Sequence, residues 1–77
     1  MKIEHDKQAD AIYIYFTDTD YAYGKDLDHE RRIDYSADGK PRGIELTCVS
    51  RGVNIDDLPF AGEVEILLRD ENIRIFA

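Results

Sequence analysis

From Ala11 to Phe16 the chain reads Ala-Ile-Tyr-Ile-Tyr-Phe, a run without a single charge. Side chains alternate along a strand, so Ile12, Ile14 and Phe16 point one way and Ala11, Tyr13 and Tyr15 the other. A sheet with one solvated face would carry polar residues on that second side. Tyrosines there imply that something covers or visits the face. Residues 2–5 read as a short strand with Ile3 and His5 on one side, and residues 6–10 as a turn built on Asp6 and Asp10. Thr17-Asp18-Thr19-Asp20 is turn chemistry, after which residues 21–27 return as a strand. A three-residue loop at 17–19 sets Tyr15 opposite Tyr21 and Tyr13 opposite Tyr23. Each such pair contributes roughly 0.2 to 1 kcal/mol, and a one-residue slip would undo the ladder.

The segment 31–48 predicts a hairpin. Asp38-Gly39 between two strand-like runs suits a type I′ turn, whose central residues need positive φ. With those two at the tip, Ile33 faces Ile44, Arg32 faces Glu45 and Tyr35 faces Arg42, so apolar, ionic and cation–ring pairs agree on one register. Pro41 then takes a non-hydrogen-bonded position. Residues 50–55 read as a connector broken at Gly52. Asp57-Leu58-Pro59 has the form of a helix start, with Asp57 as cap. Phe60, Ala61, Val64, Leu67 and Leu68 then fall on one arc at about 100° per residue. Glu65 and Arg69 are spaced as an outer i,i+4 pair, whereas Ile66 interrupts the polar face. Asn72 ends the helix, and residues 73–76 return as a short strand or packed tail. Strands first and helix last make an α+β fold: an antiparallel meander of about four strands with one C-terminal helix on one face.

Seventy-seven residues make a single domain, near the lower limit for a free-standing hydrophobic core. Cys48 is the sole cysteine, which precludes an internal disulfide and fits a reducing cytoplasm. The N-terminal residues lack a signal peptide's apolar stretch, and no run nears the ~20 apolar residues of a membrane span. A formal net charge of −7 opposes binding to phosphate backbones and suits a basic protein partner, besides keeping a small protein soluble.

Three blocks together resemble a known family. Asp6-x-x-Ala9-Asp10-Ala11-x-Tyr13-Ile14, then Asp34-Tyr35-x-x-Asp38-Gly39, then Gly43-Ile44-Glu45-Leu46 are similar to the small prokaryotic family known as domain of unknown function 2283 (DUF2283), over about residues 3–50. His5 stands where that family most often has an aromatic, and Thr47-Cys48-Val49-Ser50 departs from its usual small-residue ending. The resemblance implies a β-rich fold for the matching residues 1–50. The connector, helix and terminal strand or tail of residues 51–77 are read from the residues themselves, and many shorter members of that family lack the helical extension. The family has no assigned activity, so no catalytic residue carries over. Some members are suspected of sitting beside toxin-like genes, which points toward a partner protein.

His5, Asp6 and Asp10 form a cluster of imidazole and carboxylates that a small enzyme could use for acid–base work or metal binding. Turn geometry accounts for the same residues without chemistry, and no nucleophile or oxyanion hole accompanies them. Asp18-Thr19-Asp20 fails as a calcium loop at Ala22, Tyr23 and His29, where the EF-hand needs an oxygen ligand, glycine and glutamate. Asp26-Leu27-Asp28-His29-Glu30 reads as a solvated turn. Cys48, in phase with Ile44 and Leu46, reads as a core thiol. Arg31, Arg32, Lys40 and Arg42 make a basic spot too small, on so acidic a chain, to favour nucleic acid. The residues left over are Tyr13, Tyr15, Tyr21, Tyr23 and the outward Ile66, residue types that serve well in protein interfaces. The expectation is therefore a non-catalytic, cytoplasmic interaction module without cofactor, a homo-oligomer and most simply a dimer, using the tyrosine face. An acidic, antitoxin-like partner of a basic protein is the alternative, and an enzyme or metal protein using His5, Asp6 and Asp10 the remote one.

Overall fold

The N-terminal run forms a hairpin of β1 (Lys2–Asp6) and β2 (Ala11–Tyr15), and three further strands follow, β3 (Tyr23–Asp26), β4 (Arg31–Tyr35) and β5 (Pro41–Thr47). The computed structural model describes residues 1–76. These strands make one antiparallel sheet in the order β1-β2-β5-β4-β3. A 3-10 turn at Val49–Arg51 leads to β6 (Val53–Asn54), helix α1 (Ala61–Asp70) and β7 (Ile75–Phe76). The short strands β6 and β7 pair in parallel as a separate two-stranded sheet. The fold is α+β as expected, with five strands in the main sheet instead of about four.

One face of that sheet is the core. Ile12, Ile14, Ile33, Ile44 and Leu46 lie 0–5% exposed and pack with Val49, Val53, Leu58 and the helix residues Val64 and Leu68. Burying a side chain of this kind contributes roughly 1.5 to 3 kcal/mol. The helix meets the sheet along the predicted arc: Val64 and Leu68 are fully buried, Leu67 and Ala61 half-buried, while Ile66 stays 63% exposed. Glu65 and Arg69 form the expected i,i+4 ion pair at 2.9 Å.

The sheet order corrects the tyrosine ladder. β2 pairs with β1 and β5, not with β3, and Tyr23 faces Tyr35 of β4. The strand with two heavy faces is interior, where both its edges are bonded. Residues 16–22 are accordingly not a hairpin loop but a crossover passing the end of β5 and β4. The amides of Phe16 and Thr17 both donate to the Arg42 carbonyl, and Ala22 N–H donates to Tyr35 O at 2.9 Å.

The β4–β5 hairpin keeps its predicted interior pairs, Ile33 with Ile44 and Arg32 with Glu45. Its tip differs. Ser36 N–H bonds Lys40 O and Gly39 N–H bonds Ser36 O, and among residues 36–40 only Gly39 has positive φ (82°). This is the three-residue loop with a type I turn and a left-handed third residue, not the two-residue type I′ turn. Asp38 braces it by accepting from Ser36 Oγ and Lys40 N–H, bonds that hold its carboxyl below the usual range. The longer loop is absorbed by an irregularity after Asp34, so Tyr35 faces Pro41 and Arg42 is the extra residue.

The helix begins differently from the expectation too. Asp57 and Phe60 both take left-handed backbone (φ 66° and 54°), and Phe60, not Asp57, occupies the cap position without a side-chain cap bond. The Phe60 ring instead meets Phe16 edge-on, centroids 4.9 Å apart. The other end follows the expectation: Asn72, at φ 62°, closes a Schellman motif with Asn72 N–H bonding Arg69 O and Ile73 N–H bonding Leu68 O. Cys48 has left the strand it was expected to continue. It is half-buried at φ 55°, the residue that swings the chain from β5 into the 3-10 turn.

Asn72→Gly is expected to leave thermal stability equal or slightly raised, because glycine enters the left-handed region freely. Asn72→Ile places a β-branched side chain there and should cost about 1 to 2 kcal/mol in urea unfolding.

Candidate interaction surface

Opposite the helix, strand register sets two rows of side chains across the sheet. One row runs Gly24, Asp34, Gly43, Tyr15, Lys2, and the next Asp26, Arg32, Glu45, Tyr13, Glu4. Asp34 thus has a glycine on either side, and the one at Gly43 is sterically required because a side chain there would meet backbone. A Cβ at Gly43 would stand 2.6 Å from the Tyr13 hydroxyl and 2.7 Å from Ile14 O, and one at Gly24 would displace the Arg32 guanidinium from its present path. The missing side chains let Tyr13 and Arg32 lie flat across the sheet and converge on the carboxylate. Tyr13 Oη donates to Asp34 Oδ2 at 2.7 Å, and Arg32 Nε donates to Asp34 Oδ1 at 3.3 Å. Asp34 is left only 8% exposed, on the face without a helix. A carboxylate so far from water persists because it is paired and hydrogen-bonded.

The network continues from there. Arg32 reaches Asp26 (3.1 Å) and the Tyr21 hydroxyl (3.2 Å) and does not use Glu45, its cross-strand neighbour, as an ion-pair partner. Arg42, displaced by the irregularity in β5, turns back over this face. Its Nη1 donates to Tyr13 Oη at 3.1 Å and its Nε to Thr19 O at 2.7 Å, pinning the crossover. The Tyr15 hydroxyl donates to Glu4, and its ring lies between two cations, Lys2 Nζ at 5.4 Å and the Arg42 guanidinium at 5.5 Å. Tyr13 and Tyr15 touch at a tilt, centroids 4.6 Å apart. Burial, then the bond to Asp34, pushes the Tyr13 phenol up to about 12, with Arg42 opposing. The bond to Glu4 likewise raises Tyr15.

The five residues singled out from the sequence do not form one surface. Tyr13 and Tyr15 share the helix-free face, half-buried. Tyr21, 51% exposed, reaches its rim through Arg32. Tyr23 belongs to the opposite face, where it stacks on Tyr35 at 5.0 Å and an interplanar angle of 15°. Ile66 lies on the outside of the helix in a shallow hollow with Met1, Glu63 and Leu67.

His5, Asp6 and Asp10 do not converge. His5 Nδ1 meets Glu71 Oε1 at 2.9 Å, tying β1 to the end of the helix. Asp6 accepts from Ala9 N–H within its turn. Asp10 accepts from Ser50 N–H and Ser50 Oγ (2.9 and 2.7 Å), fastening the first hairpin to the 3-10 turn. No three His, Cys, Asp or Glu side chains among the described residues are grouped to hold a metal ion. The basic spot also disperses: Arg31 turns away to the carbonyls of Asn54 and Asp56, while Arg32 and Arg42 serve the tyrosine network. No helix among the described residues is long and apolar enough to cross a membrane.

A family model described as "Protein of unknown function (DUF2283)" matches residues 2–50. The chain belongs to this family. The matched segment ends just after β5, so it comprises the whole five-stranded sheet and its helix-free face, and the DUF2283 model stops short of α1. No curated protein and no solved structure matches the chain.

Gly43→Ala should lower the melting temperature by several degrees, since backbone and a bonded phenol would both have to move. Because the folded-state pKa of Tyr13 is raised, the neutral phenol is the stabilising form. Its contribution is complete below about pH 10 and lost as pH rises through about 12. Ultraviolet phenolate titration should show Tyr13 ionising last, with Tyr15 also later than an ordinary phenol, and Asp34→Asn should shift Tyr13 down while leaving Tyr15 in place.

Proposed function

We propose that this protein is a non-catalytic interaction module that self-associates through the helix-free face of its sheet, centred on Tyr13 and Tyr15. The observation that carries this reading is the state of those two rings. They sit on the face that no element of the described chain roofs, yet both are held in place, Tyr13 at its hydroxyl by Asp34 and Arg42, Tyr15 by its hydroxyl bond to Glu4 and by a cation on either side of its ring. Aromatic side chains already fixed in place lose little freedom on binding, so more of their contact area becomes affinity. A domain of 77 residues also stands to gain stability from any surface that a second chain buries.

The net charge of −7 favours a second reading, a basic protein as partner, through faster encounter and exclusion of wrong partners. Salt separates the two. A basic partner's affinity would fall steeply with ionic strength, and self-association through aromatic burial would change little.

Sedimentation equilibrium at about 100 μM should show a species larger than the monomer. Tyr13→Ser with Tyr15→Ser should shift it toward monomer. A purely monomeric wild type would remove the reading.

A further inference from the structure

The sheet order leaves β1 and β3 as its edges, and in an antiparallel pair every second residue turns its N–H and C=O away from the neighbour. Half of the β1 backbone groups therefore face outward, the arrangement by which sheets add strands. We propose that a second copy of this chain joins there, β1 to β1 antiparallel about a two-fold axis at Ile3, making one continuous ten-stranded sheet. This rests on the reading that the chain self-associates, and it adds a contact along the sheet edge beside the Tyr13–Tyr15 face, distinct from a contact on the face itself.

The sequence of β1 selects both the occupant and the register. Directly opposed residues in an antiparallel pair share a face, and a two-fold axis leaves only a few pairings of Met1-Lys2-Ile3-Glu4-His5-Asp6 with itself. Centred on Glu4, the pairing sets Lys2 against the partner's Asp6 twice, but also Glu4 against the partner's Glu4 and Ile3 against the partner's His5. Centred on His5, it sets Glu4 against the partner's Asp6 twice and stacks the two His5 rings. Centred on Ile3, it sets Lys2 against the partner's Glu4 and Glu4 against the partner's Lys2, both on the helix-free face, while Ile3 meets the partner's Ile3 on the core side. Of these three, only the pairing at Ile3 makes two opposite-charge pairs without a like-charge pair between them, and only it matches apolar with apolar at the axis.

The surface on either side agrees with an axis at that position. Two shallow hollows flank the start of β1, one per face. Lys2, Tyr15, Thr17 and Arg42 contribute to the first, and Glu63, Ile66 and Leu67 to the second, with Met1 shared by both. The outer one ends at the Tyr15 ring, and the inner one holds Ile66, the most exposed large apolar residue of the helix. A copy paired about Ile3 would bring its own Lys2 and Ile66 sides against both hollows. Tyr15 and Ile66, on opposite faces of the sheet, would then border one interface.

The test is charge exchange in the full chain, read by sedimentation equilibrium at low salt with circular dichroism to confirm folding. Lys2→Glu and Glu4→Lys should each weaken the wild-type dimer at least about tenfold, because each places like charges opposite one another twice. Mixing the two variants one to one should restore a dimer, now a heterodimer, since each supplies what the other lacks. A dimer indifferent to both substitutions, or two variants that do not pair when mixed, overturns the β1 interface. If that indifferent dimer is still lost on Tyr13→Ser with Tyr15→Ser, face-to-face association stands without it. A wild type that never dimerises overturns both.

Discussion

The carboxylate of Asp34 organises the side of the sheet that has no helix. It lies between two glycines in register, under a phenol and a guanidinium, and is almost removed from water. An ionised group in that position is costly unless its lone pairs are met by donors. Tyr13 and Arg32 supply them, and each is in turn fixed by a further group: Tyr13 by Arg42, Arg32 by Asp26 and Tyr21. Loss of the carboxylate would therefore leave the Tyr13 hydroxyl and Arg32 Nε without their shared acceptor, while Arg42 would keep its hold on Thr19. The opposite face depends on apolar burial, this one on a connected set of charge-assisted bonds.

That difference bears on function. A sheet face made of mobile polar side chains would be a poor platform, because each side chain must be ordered on binding. Here the ordering is already complete within the monomer. The face is firm and carries aromatic rings, while the adjoining β1 edge offers unpaired backbone and a charge pattern complementary to itself. Catalytic readings find less support: the histidine and carboxylates clustered in sequence near the first turn are spent on three separate structural tasks, at Glu71, at Ala9 and at Ser50.

How much of this was legible depends on the range of the interaction. The pairing of Ile33 with Ile44 follows from a local pattern, in which apolar matching, charge matching and a turn signal agree within fifteen residues. The helix arc from Ala61 through Val64 to Leu67 and Leu68, the Glu65–Arg69 pair, the outward Ile66 and the Asn72 stop are local too and are found, whereas Phe60, expected on the same arc, lies before the helix and is 52% exposed. The tyrosine ladder failed because the neighbour of β2 is decided by competition between distant strands, and β5, with Ile44 and Leu46, offers the better apolar face to Ile12 and Ile14. The hairpin tip failed more narrowly, since an Asp-Gly pair serves both turn types and nothing local marks Arg42 as the extra residue. The helix start was misplaced because the left-handed Phe60 answers to its ring contact with Phe16, not to capping propensity. Asp34 was within reach. It is a carboxylate inside a strand, the hairpin register already set Gly43 opposite it, and a buried acid beside a glycine asks for a donor lying across the gap.

The central claim is that Asp34 and Tyr13 stabilise one another and do not merely lie close. A double-mutant cycle with Tyr13→Phe and Asp34→Ala, measured by urea unfolding, tests it directly. A hydrogen bond to a buried carboxylate predicts a coupling of about 1.5 to 3 kcal/mol. Additive losses, agreeing within about 0.3 kcal/mol, would contradict the account and leave the helix-free face as an unlinked set of surface side chains.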